Sequence, residues 1–250
     1  MRIVDLSVPV EASPSEPIRP EIVYDDHDAS APLVAAIFGC AVEDLPDGKG
    51  WGNETVTLIT HAGTHVDAPW HYFPTCAGEP ARTIDELPLE WFVQPGVRID
   101  LRHLERGTRI EPGHLAEALG DHELEPLQIV LLWTGAEEAW GSPEYVNAGS
   151  GLGRQATEWL LDRGVRVIGT DAWGLDRPFV DTRAEYERTG DASRLWEAHR
   201  VGMDREYCQI EKLHGLGALP AATGFTVSCL PVKVAAASAG WCRAVAILDA

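Results

Sequence analysis

The sequence predicts an α/β fold in which helices flank a mixed β-sheet. Residues 128–133 are apolar and have the composition of a buried strand. Residues 153–163 instead space Ala156, Trp159 and Leu160 along one face of a helix. Because strand-like and helix-like segments follow one another without strict alternation, we expect α/β layers around a mixed sheet.

The individual elements follow from local patterns. Residues 2–8 alternate in polarity and predict an edge-like strand, whereas residues 11–20 are rich in Pro and Ser and predict an extended arm or loop. A helix is predicted over residues 111–119, because Pro112 is tolerated in a first turn, and Gly164 ends the helix at 153–163. Further strands are predicted at residues 55–65, 96–101, 128–133, 165–169, 225–234 and 243–248.

Length and charge narrow the class of protein. A chain of 250 residues can form one α/β domain or two small ones, and no Pro/Gly/Ser-rich linker divides it, so we expect a single domain over residues 1–250. The net charge of -19 argues against a nucleic-acid or anionic-membrane partner. No apolar run has the length of a membrane span, and Asp5 interrupts any signal-peptide pattern. With five widely spaced cysteines, these features predict a cytoplasmic protein with reduced thiols.

The most informative segment is residues 61–71, which holds three histidines and an aspartate on odd-numbered positions. Because a strand is predicted at 55–65, and side chains on a strand alternate between faces, His61, His65 and Asp67 would share one face. Gly63 would leave a gap between the two imidazoles. Two imidazoles and a carboxylate suit zinc, manganese or iron(II), and three protein ligands leave positions open for catalysis.

Two other interpretations of this segment are weaker. A helix would also bring His61 and His65 together, but Gly63 and Thr64 make a poor helix interior and Asp67 would leave the shared face. Unrelated histidines in a core or on a polar face would require several coincidences on one face. The sequence therefore predicts a metal site formed by His61, His65 and Asp67.

Four later residues are weaker candidates. Asp171 and Trp173 follow the strand predicted at 165–169, where ligand sites of α/β folds gather, although an ordinary polar turn with a buried tryptophan explains them equally well. His199 and Glu211 could be ligands, but a solvated face is the default interpretation of the segment that carries them.

The pattern His-x-Gly-Thr-His-x-Asp-x-Pro-x-His at residues 61–71 resembles the signature of the cyclase family of metal-dependent hydrolases, which includes bacterial kynurenine formamidases and isatin hydrolases. The resemblance extends from Asp5-Leu6-Ser7 to the C-terminal strands. In the kynurenine formamidases, a later His and Glu twelve residues apart complete a second metal position. His199 and Glu211 have that spacing, and the local sequence around Glu211-Lys212-Leu213 is similar. The resemblance therefore implies that both are ligands.

The same resemblance implies a swivelling β/β/α-type fold and a homo-oligomer, here a homodimer or homotetramer, with active sites near subunit contacts. The family that the chain resembles also includes cyclases of aromatic polyketide pathways. Compared with compact kynurenine formamidases, this chain has extra residues near 136–149 and 177–194. Loops of this kind shape pockets, so we expect them to influence the choice of substrate.

These residues predict a metal-dependent hydrolase of an amide, formamide or cyclic amide or lactone on an aromatic substrate. His61, His65 and Asp67 would hold one divalent metal, zinc or manganese, and Asp67 would bridge to a second held by His199 and Glu211, giving one or two ions per chain. His71 would act as the general acid/base, because it follows Pro69 and leaves the path of the strand. The alternative role of His71 is that of another metal ligand.

Three aromatic residues, Trp70, Phe73 and Trp173, are candidates for stacking on an aromatic substrate, although core packing explains them as well. The alternative function is a metal-dependent cyclase of an aromatic polyketide pathway, in which the same site stabilises an enolate. A metal-binding protein without catalysis is a third possibility, against which His71 and the open coordination positions argue.

Overall fold

The chain folds around a strand that is buried on both of its faces. In a computed structural model, which describes residues 1–248, Ile129–Trp133 lies inside a nine-stranded sheet. Ile129 and Leu131 pack into one core cluster, whereas Val130 and Leu132 pack into the other. This alternation is what a strand with apolar residues at every position requires when both faces are covered. The predicted α/β class with a mixed sheet is confirmed.

The strands are β1 (Arg2–Asp5), β2 (Glu21–Asp25), β3 (Asn53–Thr57), β4 (His65–Asp67), β5 (Thr75–Cys76), β6 (Glu79–Pro80), β7 (Val93–Asp100), β8 (Arg109–Ile110), β9 (Ile129–Trp133), β10 (Gly151–Leu152), β11 (Val167–Thr170), β12 (Cys208–Glu211), β13 (Phe225–Ser228), β14 (Ala239–Trp241) and β15 (Val245–Leu248). The helices are α1 (His27–Phe38), α2 (Pro69–Tyr72), α3 (Pro112–Leu119), α4 (Arg154–Asp162), α5 (Phe179–Thr189) and α6 (Glu197–Val201).

The order of strands in the main sheet is β1-β15-β13-β7-β9-β11-β12-β4-β14. The four strands β7, β9, β11 and β12 are parallel, and the flanking pairs are antiparallel. Helices α3, α4 and α6 contribute to the core on one face of the sheet, whereas loops and short 3-10 turns cover the other face. The topology therefore inserts β4, which comes early in the chain, between two late strands, β12 and β14.

Several predicted elements agree closely with the structure. The helices predicted at 111–119 and 153–163 correspond to α3 and α4, and Gly164 follows α4 with φ +83°, as a glycine that ends a helix commonly does. The strands predicted at 128–133 and 165–169 correspond to β9 and β11.

The strand predicted at 55–65 is wrong. Pairing with β2 ends at Thr57, the chain then turns, and a separate short strand, β4, begins only at His65. The cause is a turn over residues 60–64 in which Gly63 has φ +63°, a conformation that glycine adopts without steric cost. The strand predicted at 225–234 is also shorter than expected, and β14 intervenes before β15.

The segment 11–20 has neither helix nor strand, as predicted, but it is not a free arm. Ser13, Ser15 and Glu16 are buried in the body of the protein. The Ser15 hydroxyl donates a hydrogen bond to the carbonyl of Ser142, which fixes the segment against a distant loop.

All five cysteines are free thiols, which agrees with the expectation drawn from their spacing. Among the helices of residues 1–248, none is long and apolar enough to cross a membrane.

Candidate metal centre

The floor of the site is formed by two neighbouring antiparallel strands, β4 and β12. His65 lies directly opposite Glu211 in the register, so their side chains leave the same face of the sheet. His65 Nε2 is 3.5 Å from Glu211 Oε2 and 3.1 Å from Asp67 Oδ1. All three residues are buried. Their donor atoms lie within 4.8 Å of one another, a spacing compatible with one shared ion.

His61 reaches the same place from the turn that precedes β4. Its Nδ1 atom is 2.8 Å from Asp67 Oδ1 and 3.3 Å from His65 Nε2. The sequence therefore predicted the correct neighbours for a wrong reason. A continuous strand does not align them; instead, the left-handed backbone at Gly63 folds His61 back over β4.

A buried ion pair holds this turn in position. Lys212 donates hydrogen bonds to both carboxylate oxygens of Glu16, at 2.9 and 2.7 Å, and to the carbonyl of His61 at 2.8 Å. Glu16 in turn accepts a hydrogen bond from the backbone N–H of Gly63. Sequence reasoning did not identify either residue, because a glutamate in a Pro/Ser-rich segment carries no signal of burial.

His71 lies on the short helix α2, which begins at Pro69. Its Nε2 atom is 4.0 Å from Asp67 Oδ2, and its ring centroid is 4.1 Å from that of His61. Burial lowers the pKa of His71 to about 4, although the charge of Asp67 opposes the shift. The ring is therefore neutral at pH 7, and it is a weaker base than an ordinary exposed histidine. His61, Asp67 and His71 also form a compact donor group, so a ligand role for His71 stays open.

His199 faces the site from helix α6. Its Nδ1 atom is hydrogen-bonded to Asp176, and its ring centroid is 5.4 Å from that of His71. Although burial alone would lower the pKa of His199, the hydrogen bond and the charge of Asp176 raise it to about 9. An imidazole that bonds a carboxylate through one nitrogen presents the other in a fixed direction, as metal-binding histidines do.

Asp176 was not among the sequence candidates. Besides bonding the His199 ring, it accepts hydrogen bonds from the backbone N–H groups of Ala198 and His199, which begin helix α6. His199 itself belongs to neither of the two compact donor groups, His61-Asp67-His71 and His65-Asp67-Glu211. The structure thus places His199 beside the site, but outside the compact groups of donor atoms that surround Asp67.

The chemistry of the donor set fits a divalent metal. Both carboxylate oxygens of Asp67 are buried, and neither accepts a hydrogen bond of proper geometry from the described residues. Although burial opposes ionisation, the neighbouring histidines, above all His65, hold the pKa of Asp67 well below its usual range. Burial and the charge of Asp67 raise the pKa of Glu211. Two carboxylates packed against several imidazoles, with unpaired oxygens between them, are the ligands that zinc and manganese use.

A cavity of about 520 Å³ opens above these residues. Trp173 lines it, as predicted, together with His61, His71, His199, Phe179 and Trp196. Phe179 and Trp196 were not sequence candidates; Phe179 lies within the predicted insertion at 177–194.

Trp70 and Phe73 do not line this cavity. Their exposed fractions are 48% and 40%; Trp70 lies within α2, and Phe73 follows it in extended conformation. Within this chain, the stacking role predicted for Trp70 and Phe73 is not supported.

Asp171 is also outside the cavity. Its carboxylate accepts hydrogen bonds from the backbone and hydroxyl of Thr134 and from the backbone of Gly135, at 2.6–2.8 Å. Burial raises the pKa of Asp171 to about 6 despite these bonds. The residue holds together the turns that follow β9 and β11, which favours the polar turn over the pocket, the two interpretations that the sequence left open for Asp171.

Comparison with known proteins gives three consistent similarities. Residues 4–177 match the model of the Cyclase family, described as "Putative cyclase". The kynurenine formamidase of Bordetella petrii is 31% identical over 190 residues, which cover 76% of this chain and 78% of that enzyme. The kynurenine formamidase of Bordetella avium is 31% identical over 160 residues, and the chain spans only 63% of its length.

Among solved structures, an isatin hydrolase bound to the product analogue thioisatinate superposes with a TM-score of 0.79 over 99% of this chain and 92% of that one. Its sequence identity is 19%, so this likeness shows a shared fold.

Proposed function

This chain belongs to the Cyclase family, and on that premise we propose that it is a metal-dependent hydrolase of C–N bonds in aryl amides, formamides or cyclic amides. The observation that carries the proposal is the convergence of His61, His65, Asp67 and Glu211 at the floor of a cavity with aromatic walls. The similarity to kynurenine formamidases favours hydrolysis over ring closure.

The proposed ligands of the metal are His61, His65, Asp67 and Glu211, and His199 completes a second position if two ions bind. Zinc or manganese suits these nitrogen and oxygen donors. When bound, such an ion supplies a Lewis acid that polarises a carbonyl oxygen and lowers the pKa of water.

The chain's own residues position the substrate and move the proton. The neutral imidazole of His71 accepts a proton from water and returns it to the leaving nitrogen. Asp176 orients the His199 ring toward the cavity. The indole of Trp173 provides a flat wall for an aromatic ring.

We also propose that the protein is a homo-oligomer of the cytoplasm. Residues 21–57, here called the hairpin–helix unit, contain β2 and β3, which pair only with each other, and helix α1. This unit exposes Tyr24, Leu33, Ile37 and Phe38, which a second copy of the chain would cover. The five free thiols fit a reducing compartment.

The test is a hydrolysis screen on the purified protein loaded with zinc or manganese. We expect cleavage of N-formyl anilines, with formate released, and about one or two ions per chain, the range of one- and two-metal sites. His65→Ala should lose both metal and activity, because His65 is wholly buried among the other donors. Full metal content and full activity in that variant would contradict the proposed site.

A further inference from the structure

The cavity wall is apolar around the reactive end. Among the residues that line the cavity, the larger apolar ones are Ile18, Ile59, Val146, Trp173, Phe179 and Trp196. Two of these, Phe179 and Trp196, are about half exposed at the rim, at 49% and 47%. Apolar side chains therefore surround a bound molecule on several sides.

The lysine and the arginine in the wall are already paired within the chain, and the His199 ring is bonded to Asp176. Lys212 is buried, and its three N–H donors are satisfied by the two carboxylate oxygens of Glu16 and by the His61 carbonyl. Arg177 donates from Nε to the Gly107 carbonyl and from Nη1 to Glu185. Each of these two side chains is therefore already paired with a carboxylate of the chain, Lys212 with Glu16 and Arg177 with Glu185.

The acidic groups in the wall are engaged as well. Glu16 is paired with Lys212, Asp176 is bonded to His199, and Glu211 lies in the donor group with His65 and Asp67. A substrate that carried an α-amino acid group would have to desolvate both of its charges against apolar side chains. Unpaired burial of a charge is strongly unfavourable.

The volume of the cavity indicates the size of the apolar part of the substrate. An apolar cavity of about 150 Å³ is sufficient to hold benzene. The cavity here measures about 520 Å³, and the aromatic wall, in which Trp173 and Phe179 are 5.6 Å apart between ring centroids, continues from the site to the rim. There is room for more than one ring.

From these observations we propose that the part of the substrate that does not react is uncharged and apolar and contains at least two rings. The inference rests on the proposed hydrolase function and specifies its substrate class. Kynurenine is an aromatic amino acid, so this specificity differs from what the names of the related formamidases state. In the reaction, water adds to the formyl carbon, the C–N bond breaks, the nitrogen takes up one proton of the water, and an uncharged aryl amine leaves together with formic acid, which ionises to formate and a proton.

A matched pair of substrates tests the charge directly. The probes are 4-formamidobiphenyl and 4′-formamidobiphenyl-4-carboxylate, which differ only by the carboxylate, with formanilide and N-formylkynurenine for comparison. We expect kcat/KM for the neutral biphenyl to exceed that of its carboxylate by at least about tenfold, since a buried unpaired charge is costly. It should also exceed that of formanilide. Equal or better turnover of the carboxylate or of N-formylkynurenine would overturn the inference and leave the hydrolase function intact.

A variant that adds a cation to the rim sharpens the test. Phe179→Arg should raise kcat/KM for the biphenyl carboxylate and lower it for the neutral biphenyl. Leu89→Arg is the matched control, because Leu89 is exposed on a short 3-10 turn outside the cavity wall. It adds the same charge to the whole protein, so a preference that changes equally in both variants would contradict a specific role for the rim.

Binding measurements test the preference for an uncharged ligand separately from the hydrolase function. If no formamide is cleaved, the hydrolase function fails, but calorimetry with 4-aminobiphenyl and 4′-aminobiphenyl-4-carboxylate still measures the preference of the cavity. Tighter binding of the neutral amine by at least about tenfold supports an uncharged ligand. Equal binding of the two amines would overturn it.

Discussion

At the residue scale, the behaviour of the site depends on a buried carboxylate, that of Asp67, whose oxygens accept no hydrogen bond of proper geometry from residues 1–248. Asp67 is ionised because imidazoles surround it, and two of these imidazoles have a second partner of their own. His65 Nδ1 lies 2.9 Å from the Gly63 carbonyl, whereas His61 Nε2 lies 3.0 Å from the Ser238 hydroxyl. His71 lines the cavity, which suits a group that exchanges protons with a substrate.

Replacing His71 therefore distinguishes a proton carrier from a ligand. We expect His71→Ala to retain most of its metal and to lose roughly two to four orders of magnitude in rate, the usual contribution of a general acid/base. His71→Asn preserves a hydrogen-bond donor and should be equally slow. Metal content and turnover are measured together, with His65→Ala as the comparison. Loss of metal in His71→Ala as complete as in His65→Ala would make His71 a ligand.

The buried carboxyl of Asp171 should make stability depend on pH. Burial raises its pKa from 3.8 to about 6, so the folded protein binds this proton more tightly than the unfolded chain does. The contribution of Asp171 to stability is thus fully present below pH 3.8 and is lost as the pH rises through about 6, a change of about 3 kcal/mol.

Urea unfolding of the wild type and of Asp171→Asn at pH 4.5 and pH 7.5 checks this expectation. The stability of the wild type relative to the variant should fall between the two pH values. A difference in unfolding free energy that does not vary with pH would show that the hydrogen bonds from Thr134 keep the pKa at its ordinary value.

At the scale of elements, the periodic segments were predictable and the interrupted ones were not. Helix α4 and strand β9 carry regular apolar patterns, and both were predicted within a residue or two. Helix α1 was missed; it contains Pro32, which has no N–H to donate, and it is apolar around its circumference. Strand β12 was missed because Glu211 and Lys212, which are buried, have the composition of a solvated face.

The site shows the same division. The spacing of residues 61–71 identified the donors on β4 and the turn, and the resemblance brought in His199 and Glu211. Local sequence could not reveal Glu16 or Asp176, because their partners, Lys212 and His199, are far away in the chain. Such long-range pairs leave no periodic signal.

The turn that carries His61 should depend on the buried pair of Glu16 and Lys212. Removing one partner leaves the other charge buried and unpaired. Glu16→Gln and Lys212→Met should therefore each lower the free energy of unfolding by about 3–5 kcal/mol. Chemical denaturation measures the loss. Arg243→Ala, which breaks an exposed pair with Asp5, is the control and should change stability by about 1 kcal/mol or less. Similar small effects in all three variants would contradict a structural role for the buried pair.

At the scale of the whole molecule, the most unusual feature is the hairpin–helix unit. Its two strands, joined through α1, form a separate two-stranded sheet, and an isolated pair of strands is marginally stable in water. Its small core consists of Ala31, Val34, Ala35 and Leu45, while larger apolar residues face outward. This arrangement favours a structure in which another surface covers the unit.

Charges placed on this unit should therefore separate the subunits. We expect the wild type to have the mass of a dimer or tetramer in light scattering, and the double variant Leu33→Glu with Phe38→Glu to shift toward the monomer. Leu89→Glu, an equally exposed leucine outside the unit, should leave the mass unchanged. A monomeric wild type would refute the proposed oligomer.

The insertion of β4 between β12 and β14 also constrains when the site can come into existence. Thr64 and Lys212, which join the two halves of the site by a hydrogen bond, are 148 positions apart. Closing a loop of that length is entropically costly, so local units such as β7–β9 have the kinetic advantage. During synthesis, His61, His65 and Asp67 leave the ribosome long before Glu211, and β14 follows later still. A nascent chain therefore carries three of its four proposed ligands exposed and unassembled until its last strands emerge, and acquisition of a metal becomes an event that follows translation.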